Sequence, residues 1–435
     1  MNSAEFKKRR HELRKLMQPD SVAIIPANRE VTRSRDTEFP FRQDSYFYYL
    51  TGITEPEGLL VIGNSEPDEE TLFVLPADPE QEIWHGRRIG AEQAAEVSGV
   101  EGVFTTVDVE PQLPLLTDDR SVLYYPQGLY QWHDDFVQDL LAQLRGQRRK
   151  YKVPTTQSDV RVLLDEQRLI KSESEIKLMR EAARISVDAH MRAMKFARPG
   201  VWEYQVAAEL HHEFVMQGGA APAYGTICGS GENACILHYT ENQSQLKSGD
   251  LLLIDAGVEF QGYAADITRT FPVSGIFSEP QKILYSLVLE AQEAALATLK
   301  PGNTMPEAHE ASARVITEGL VRLGILQGDP EQHLKDKTYR KFYMHSLGHW
   351  LGLDVHDVGT YEANGAPREL EAGMVLTIEP GLYIAPDADV DEQWKGIGIR
   401  IEDDILITDE GYENLTDGVP KSVQEIETLL AERDT

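Results

Sequence analysis

The feature that most constrains this chain is a pattern that occurs twice. Gly249-Asp-Leu-Leu-Leu-Ile-Asp255-Ala-Gly257 and Gly373-Met-Val-Leu-Thr-Ile-Glu379-Pro-Gly381 each place one glycine six residues before a carboxylate and another two residues after it. The apolar run between reads as a buried strand. A second pair keeps the same order. Ala197-Arg-Pro199-Gly200-Val-Trp-Glu203 and Leu299-Lys-Pro301-Gly302-Asn-Thr-Met-Pro-Glu307 lie about a hundred residues apart, each between two helical patterns. Pro-Gly is common after helices, so one such match would carry little. Two in the same order predict a duplicated α/β unit, with strands of both copies meeting around a pseudo-twofold axis. Acids at equivalent places in the two copies would then converge.

Four carboxylates stand at such places. Asp255 ends Leu251-Leu-Leu-Ile, and Asp266 interrupts Gly262-Tyr-Ala-Ala-Asp-Ile-Thr-Arg-Thr-Phe, which reads as a return strand after a turn at Gln261-Gly262. The two acids are expected to face each other across that hairpin. Glu379 closes Met374-Val-Leu-Thr-Ile, and Glu402 sits in Gly398-Ile-Arg-Ile-Glu-Asp-Asp-Ile. A carboxylate among apolar residues is expensive to bury unless it is paired or bound to a metal. A turn role for Asp255 and an ion pair from Asp266 to Arg269 would explain either acid alone; four in two copies fit that reading poorly. Histidines crowd one segment, Phe342-Tyr-Met-His345-Ser-Leu-Gly-His349-Trp-Leu-Gly-Leu-Asp-Val-His356. Four carboxylates and one imidazole, from among His345, His349 and His356, suit two divalent ions such as Mn²⁺, Co²⁺ or Zn²⁺, whose charge the four acids would balance. Such pairs of ions share a water of lowered pKa, a nucleophile for hydrolysis.

The rest of the chain is organised around this half. Residues 1–170 read as a mixed α/β domain, with strands at Ser21-Val-Ala-Ile-Ile-Pro, Gly58-Leu-Leu-Val-Ile-Gly and Glu70-Thr-Leu-Phe-Val-Leu-Pro, and a helix over Asp134–Leu144. Phe6, Leu13, Leu16 and Met17 fall on one face of a first helix. The boundary is placed near Lys171, between helices over Ser158–Ile170 and Ser174–Ala197, the second opened by a Ser172/Glu175 capping box. A catalytic domain then spans 171–435. The net charge of −30 counts against nucleic acid, which needs a basic surface. No apolar run is long enough to span a bilayer. Two cysteines, Cys228 and Cys235, read as reduced thiols. With no secretory pattern at the N-terminus, these features suggest a cytoplasmic location.

At these residues the sequence resembles a known family. The stretches Ile236-Leu-His238-Tyr-Thr-Glu-Asn, Leu253-Ile-Asp255-Ala-Gly, Tyr263-Ala-Ala-Asp266-Ile-Thr-Arg-Thr-Phe-Pro and Met344-His345-Ser-Leu-Gly-His349-Trp-Leu-Gly-Leu-Asp-Val-His356-Asp carry the likeness. So do Ile378-Glu379-Pro-Gly-Leu-Tyr383 and Gly398-Ile-Arg400-Ile-Glu402-Asp-Asp. Together they resemble the Xaa-Pro aminopeptidases (aminopeptidase P) among the pita-bread metallopeptidases, and no motif position departs from the family pattern. The resemblance implies an N-terminal domain of the aminopeptidase P type and a catalytic pita-bread domain. It implies two divalent ions, Mn²⁺ first, with Asp255 bidentate on one, Asp266 and Glu402 bridging both, and His349 and Glu379 completing one each. Glu379 would also shuttle the proton from the bridging water to the leaving nitrogen. His238, His345 and His356 would bind substrate and stabilise the tetrahedral intermediate. Arg400 would support the metal shell, with Asp36 a candidate acid partner. Tyr383 and Trp350 would join the histidines in a slot for the proline ring. The implied substrates are peptides beginning Xaa-Pro, and the implied assembly is a homo-oligomer, a dimer or tetramer.

Rival readings are an Xaa-Pro dipeptidase (prolidase) and a non-catalytic binding protein on the same fold. The segments around His238 and Trp350 favour the aminopeptidase over the dipeptidase, and the intact ligand set weighs against a binding protein. A serine hydrolase at Ser346 or Ser230 lacks a Gly-x-Ser-x-Gly turn. Gly225-Thr-Ile-Cys-Gly229-Ser-Gly231 is too loose for a nucleotide loop.

Overall fold

The computed structural model of the chain describes residues 1–65 and 69–434, which fall into two compact units, Met1–Gln167 and Arg168–Thr435. The first is built on a six-stranded mixed sheet. Its strands, in spatial order, are Gly102–Thr105, Glu70–Val74, Leu59–Asn64, Ser21–Pro26, Val122–Tyr125 and Thr156–Asp159. Ser21–Pro26 lies between an antiparallel and a parallel neighbour and is buried along its whole length, which is why it reads as a continuous apolar run rather than an alternating one. The helix expected over 158–170 starts only at Arg161, because Thr156–Asp159 is an edge strand paired to Val122–Tyr125. Its sequence, Thr-Gln-Ser-Asp, has no apolar face to announce it.

The first helix, Ser3–Leu16, buries Phe6 and Leu13 as expected but leaves Leu16 half exposed. Arg9, Arg10 and Arg14 are buried instead. Arg10 Nε and an Arg14 guanidinium nitrogen donate to Glu70 at 2.8 and 2.7 Å, and a second Arg10 nitrogen donates to the Leu50 and Ser98 carbonyls. Buried charges are tolerated when paired in this way.

The second unit shows the duplication in its backbone. Helices Glu173–Phe196 and Glu203–Met216 precede the first strand set, and Glu279–Leu296 and Met305–Arg322 precede the second. The Ser172/Glu175 capping box is formed. After each leading helix the Pro-Gly pair turns the chain, with Gly200 and Gly302 at φ 91° and 87°, a region that favours glycine. Gly200 N–H donates to the Leu246 carbonyl and Gly302 N–H to that of Leu370, both at 2.9 Å. Trp202 bridges to Gln245 as Thr304 bridges to Glu369. The strands match as well. Leu251–Asp255 pairs antiparallel with Thr268–Pro272, and Val375–Ile378 with Asp403–Ile407. Between each pair sits a shorter hairpin, Val258–Phe260 with Tyr263–Ala264 in one copy and Gly381–Ile384 with Ile397–Arg400 in the other.

Candidate metal centre and active-site cavity

Each of the four expected acids stands where a strand stops. Asp255 is the last residue of its strand, Asp266 lies between Tyr263–Ala264 and Thr268–Pro272, Glu379 between Val375–Ile378 and Gly381–Ile384, and Glu402 between Ile397–Arg400 and Asp403–Ile407. The direct partner of Asp255 in the ladder is Thr268, so Asp255 and Asp266 are not a cross-strand pair as expected. The short hairpin that carries the turn belongs to a separate ladder, and this shifts Asp266 off register. An isolated β-bridge, Thr268 to Glu402, joins the two copies, where Glu402 N–H donates to the Thr268 carbonyl at 3.1 Å. A ribbon at 347–351 runs against 375–379: Thr377 N–H donates to the His349 carbonyl and Glu379 N–H to the Leu347 carbonyl. His349 and Glu379 are thereby presented side by side. A Cβ on Gly348 would lie 1.9 Å from the Thr377 carbonyl oxygen, so the approach requires glycine there.

Ligating atoms of Asp266, His349 and Glu402 all lie within 4.8 Å of one another. His349 Nε2 stands 3.5 Å from Asp266 and 3.6 Å from Glu379. Its Nδ1 donates to the Trp350 carbonyl at 3.0 Å, which turns Nε2 toward the cluster. Asp255 is one contact away, one oxygen near Tyr224 and the other on Arg400 at 2.5 Å. The Tyr224 hydroxyl is 2.7 Å from Asp255 Oδ1 and 2.5 Å from Asp266 Oδ1. It carries one proton and can satisfy only one of them at a time.

Burial, and then mutual repulsion among the acids, sets the protonation of the cluster. Burial followed by Asp255 pushes Asp266 up, and burial followed by Asp266, Glu379 and Asp255 pushes Glu402 well up. Glu379 rises to about 8, mainly through burial, against the opposing pull of His349 and Arg400. Burial would lower His349, but the hydrogen bond and charge of Asp266 outweigh it and bring it to about 9. Carboxylates that water cannot solvate and that repel one another call for cations. An all-oxygen set with one oriented imidazole nitrogen fits hard or borderline divalent ions.

Arg400 ties this cluster together. It donates to Asp255, to the Tyr383 hydroxyl at 3.0 Å and, through Nε, to Thr268 Oγ1 at 3.2 Å; Thr268 in turn donates to Glu402 at 2.6 Å. Its acid partner is therefore Asp255. Asp36 is an exposed turn residue between Thr32–Ser34 and Thr37–Glu38. Tyr383 is 2% exposed and works from behind the site, donating to His345 Nε2 at 2.8 Å. His345 Nδ1 donates to the Ser346 carbonyl, and burial drops this ring to about 4, so it is neutral near pH 7.

The cluster opens into a cavity of about 1280 Å³ lined by His238, His345, His349 and His356 along with Asp255, Asp266, Glu379 and Glu402. The His356 ring is 4.3 Å from that of His349. Trp350 does not line it. Its side chain is 1% exposed, packed among Leu169, Leu296, Leu347 and Leu376. Tyr361 stacks on it at 5.2 Å and forms the wall in its place. The strand-pairing register explains the swap: Trp350 bridges Leu376 and points to the core side of the ribbon, opposite His349. Sequence reasoning missed Tyr224, Thr268 and Tyr361; Thr268 stands within a quoted motif, but its neighbours Asp266 and Arg269 carried the charge that drew the reading.

Residues 177–409 match the family profile of metallopeptidase family M24, and residues 6–124 match the aminopeptidase P, N-terminal domain. An Xaa-Pro aminopeptidase of Escherichia coli is 49% identical over 98% of this chain and 97% of its own. The chain belongs to metallopeptidase family M24. The structure of Pseudomonas aeruginosa aminopeptidase PepP superposes with a TM-score of 0.98 at 48% identity, covering 100% of this chain and 99% of that one. Zinc-substituted E. coli aminopeptidase P in complex with product gives 0.97 at 49% identity, with the same coverage. This M24 peptidase thus has the two-domain pita-bread architecture that its motifs suggested, and it is a hydrolase, a metallo-aminopeptidase. Among its described residues no helix is long and apolar enough to cross a membrane. Cys228 and Cys235 are both free, the first buried.

Proposed function

We propose that this M24 peptidase releases the N-terminal residue from peptides whose second residue is proline. The observation that carries the reading is the convergence of Asp266, His349 and Glu402 from two backbone copies beneath a histidine-lined cavity. Residues 1–170 are read as the aminopeptidase P N-terminal domain and 171–435 as the catalytic one. Asp255, Asp266, His349, Glu379 and Glu402 would hold two divalent ions, Mn²⁺ by preference, with Co²⁺ or Zn²⁺ as substitutes. When bound, such ions supply Lewis acidity and a water acidic enough to act near neutral pH.

The remaining chemistry belongs to side chains. An Xaa-Pro bond is a tertiary amide, so its leaving nitrogen must acquire a proton before it departs. Glu379 stands at the edge of the cluster, beside His349 and 3.8 Å from His345, and is placed to carry that proton. His238 and His356, on two loops of the cavity wall, are placed to donate to the carbonyl oxygen as it gains charge. Neutral His345, fixed by Ser346 and Tyr383, holds the floor of the site, and Arg400 orients Asp255. Tyr361 offers a flat apolar wall for the pyrrolidine ring. A cytoplasmic homo-oligomer, dimer or tetramer, is the setting in which we place it.

The test is to strip the protein with a chelator, reload it with Mn²⁺, Co²⁺ or Zn²⁺, and offer Xaa-Pro-Yaa peptides beside Xaa-Pro dipeptides. Activity should vanish with the metal and return with it, and the longer peptides should be cleaved. Cleavage confined to dipeptides would move the assignment to prolidase, and activity that survives metal removal would remove the metal from it.

A further inference from the structure

The cavity does not end at the metal cluster. It extends along the helix Met305–Arg322 to a wall built by Pro330–Lys335 and the short turn Thr338–Lys341. The two ends carry opposite charge. Four carboxylates crowd the first end, whereas four cations, Arg314, Lys335, Lys337 and Arg340, outnumber the two acids Glu310 and Glu331 at the second. Arg314 is already paired with Glu310, Glu318 and Glu331. Lys335, Lys337 and Arg340 are exposed and have no ion-pair partner among the described residues. The charge is felt inside the cavity: His309 on its wall is lowered first by burial and then by Arg340 and Lys337.

A free peptide is itself a dipole, with an ammonium group at one end and a carboxylate at the other. We propose that Lys335, Lys337 and Arg340 recognise the C-terminal carboxylate of the substrate, so that this site is tuned to short peptides with an unblocked C-terminus. The inference rests on the aminopeptidase reading, which puts the substrate's N-terminus at the acidic end. Geometry limits the length. From His345, ring contacts of 5.2 Å to Tyr343, 5.5 Å on to His309 and 6.4 Å on to Tyr339 lead to the residue next to Arg340. An extended chain rises about 3.3–3.6 Å per residue, so the Tyr339 ring beside this wall lies at most about five residues' length from the His345 ring. The cations are solvent-exposed, so each contact is weak and screened by salt.

The experiment uses Xaa-Pro peptides with alanine tails of increasing length, each as free acid and as C-terminal amide, on the metal-loaded full chain. We expect the acid to have a KM lower by about two- to five-fold at one or two intermediate lengths, with kcat unchanged. The Lys335→Gln/Lys337→Gln/Arg340→Gln variant should bring acid and amide together, and so should high salt, with the amide's own kinetics left as they were. Equal KM for acid and amide at every length would overturn the proposal. So would a difference that persists in the variant. If amides ending in glutamate gain over those ending in alanine while acid and amide do not differ, the recognised charge is a side chain and the proposal fails. Efficient cleavage of the amides keeps the aminopeptidase reading intact in all three cases, whereas no cleavage of any peptide in the series would refute that reading itself.

Discussion

The two copies inside the catalytic unit share a backbone and differ in what they hang on it. In the first, Gly229 pairs with Leu253 where, in the second, His349 lies against Thr377. A Cβ at Gly229 would meet the Asn233 backbone at 3.1 Å, a tighter fit than most side chains find. Ala264 occupies the place that Arg400 takes in the second copy, each closing a hairpin just before the inner acid. Each copy also sends one loop to the cavity, carrying His238 in one and His356 in the other. The loops are pinned differently. Buried Glu203 accepts hydrogen bonds from Ser230 N–H, Asn233, the Tyr239 hydroxyl and Ser244 N–H, whereas Asp357 is clamped by Arg168 at 2.6 Å and Lys171 at 3.0 Å. Duplication supplied the converging acids, and the second copy's departures from symmetry supplied the imidazole and the guanidinium.

This comparison can be broken at its symmetric part first. Asp266→Ala and Glu402→Ala occupy equivalent positions and should each lower kcat/KM by on the order of 10³-fold, about 4 kcal/mol of transition-state stabilisation, with circular dichroism unchanged. Near-normal turnover in one of them alone would show that the copies are not functionally equivalent. The asymmetric clamp comes next. Asp357→Asn leaves buried Lys171 without its acid and Arg168 with only Asp354, and should cost about 3 kcal/mol of stability at neutral pH, read from denaturant unfolding. Burial would raise the Asp357 pKa, but Lys171 and Arg168 hold it below the usual carboxylate range. A depressed folded pKa gives stability that is present above the unfolded value and lost as pH falls through the folded one. The wild-type Tm should therefore fall as pH drops below about 4, and Asp357→Asn should flatten that fall.

Arg400→Lys probes the residue that has no counterpart in the first copy. A lysine cannot reach Asp255, Tyr383 and Thr268 together, and a loss of about 10- to 100-fold in activity or metal affinity is expected. The smallest effect belongs to the wall. Tyr361→Ala should raise KM by roughly three- to five-fold with kcat nearly constant, about 1 kcal/mol of lost apolar contact. Trp350→Ala should instead lower Tm, because its ring is in the core.

Much of this architecture could be read before any coordinates. The repeated glycine–strand–acid pattern and the paired Pro-Gly turns foretold the duplication, since the backbone requirements they serve are local: positive φ at Gly200, Gly249, Gly302 and Gly373, and an apolar run for a buried strand. The same pattern singled out Asp255, Asp266, Glu379 and Glu402, because an acid inside such a run demands a partner wherever it lies. Side-chain direction and contacts between distant segments were not legible. Trp350 and Tyr361 are both aromatic neighbours of the histidine segment, and only the ribbon's register sends one to the core and the other to the cavity. Tyr224 and Thr268 look ordinary in sequence and gain meaning from acids that approach them in space. The sequence alone determined which acids must find cations. The tertiary structure decided how they are held, through Tyr224, Arg400 and Thr268, because hydrogen bonds between residues far apart in the chain depend on how the two copies pack.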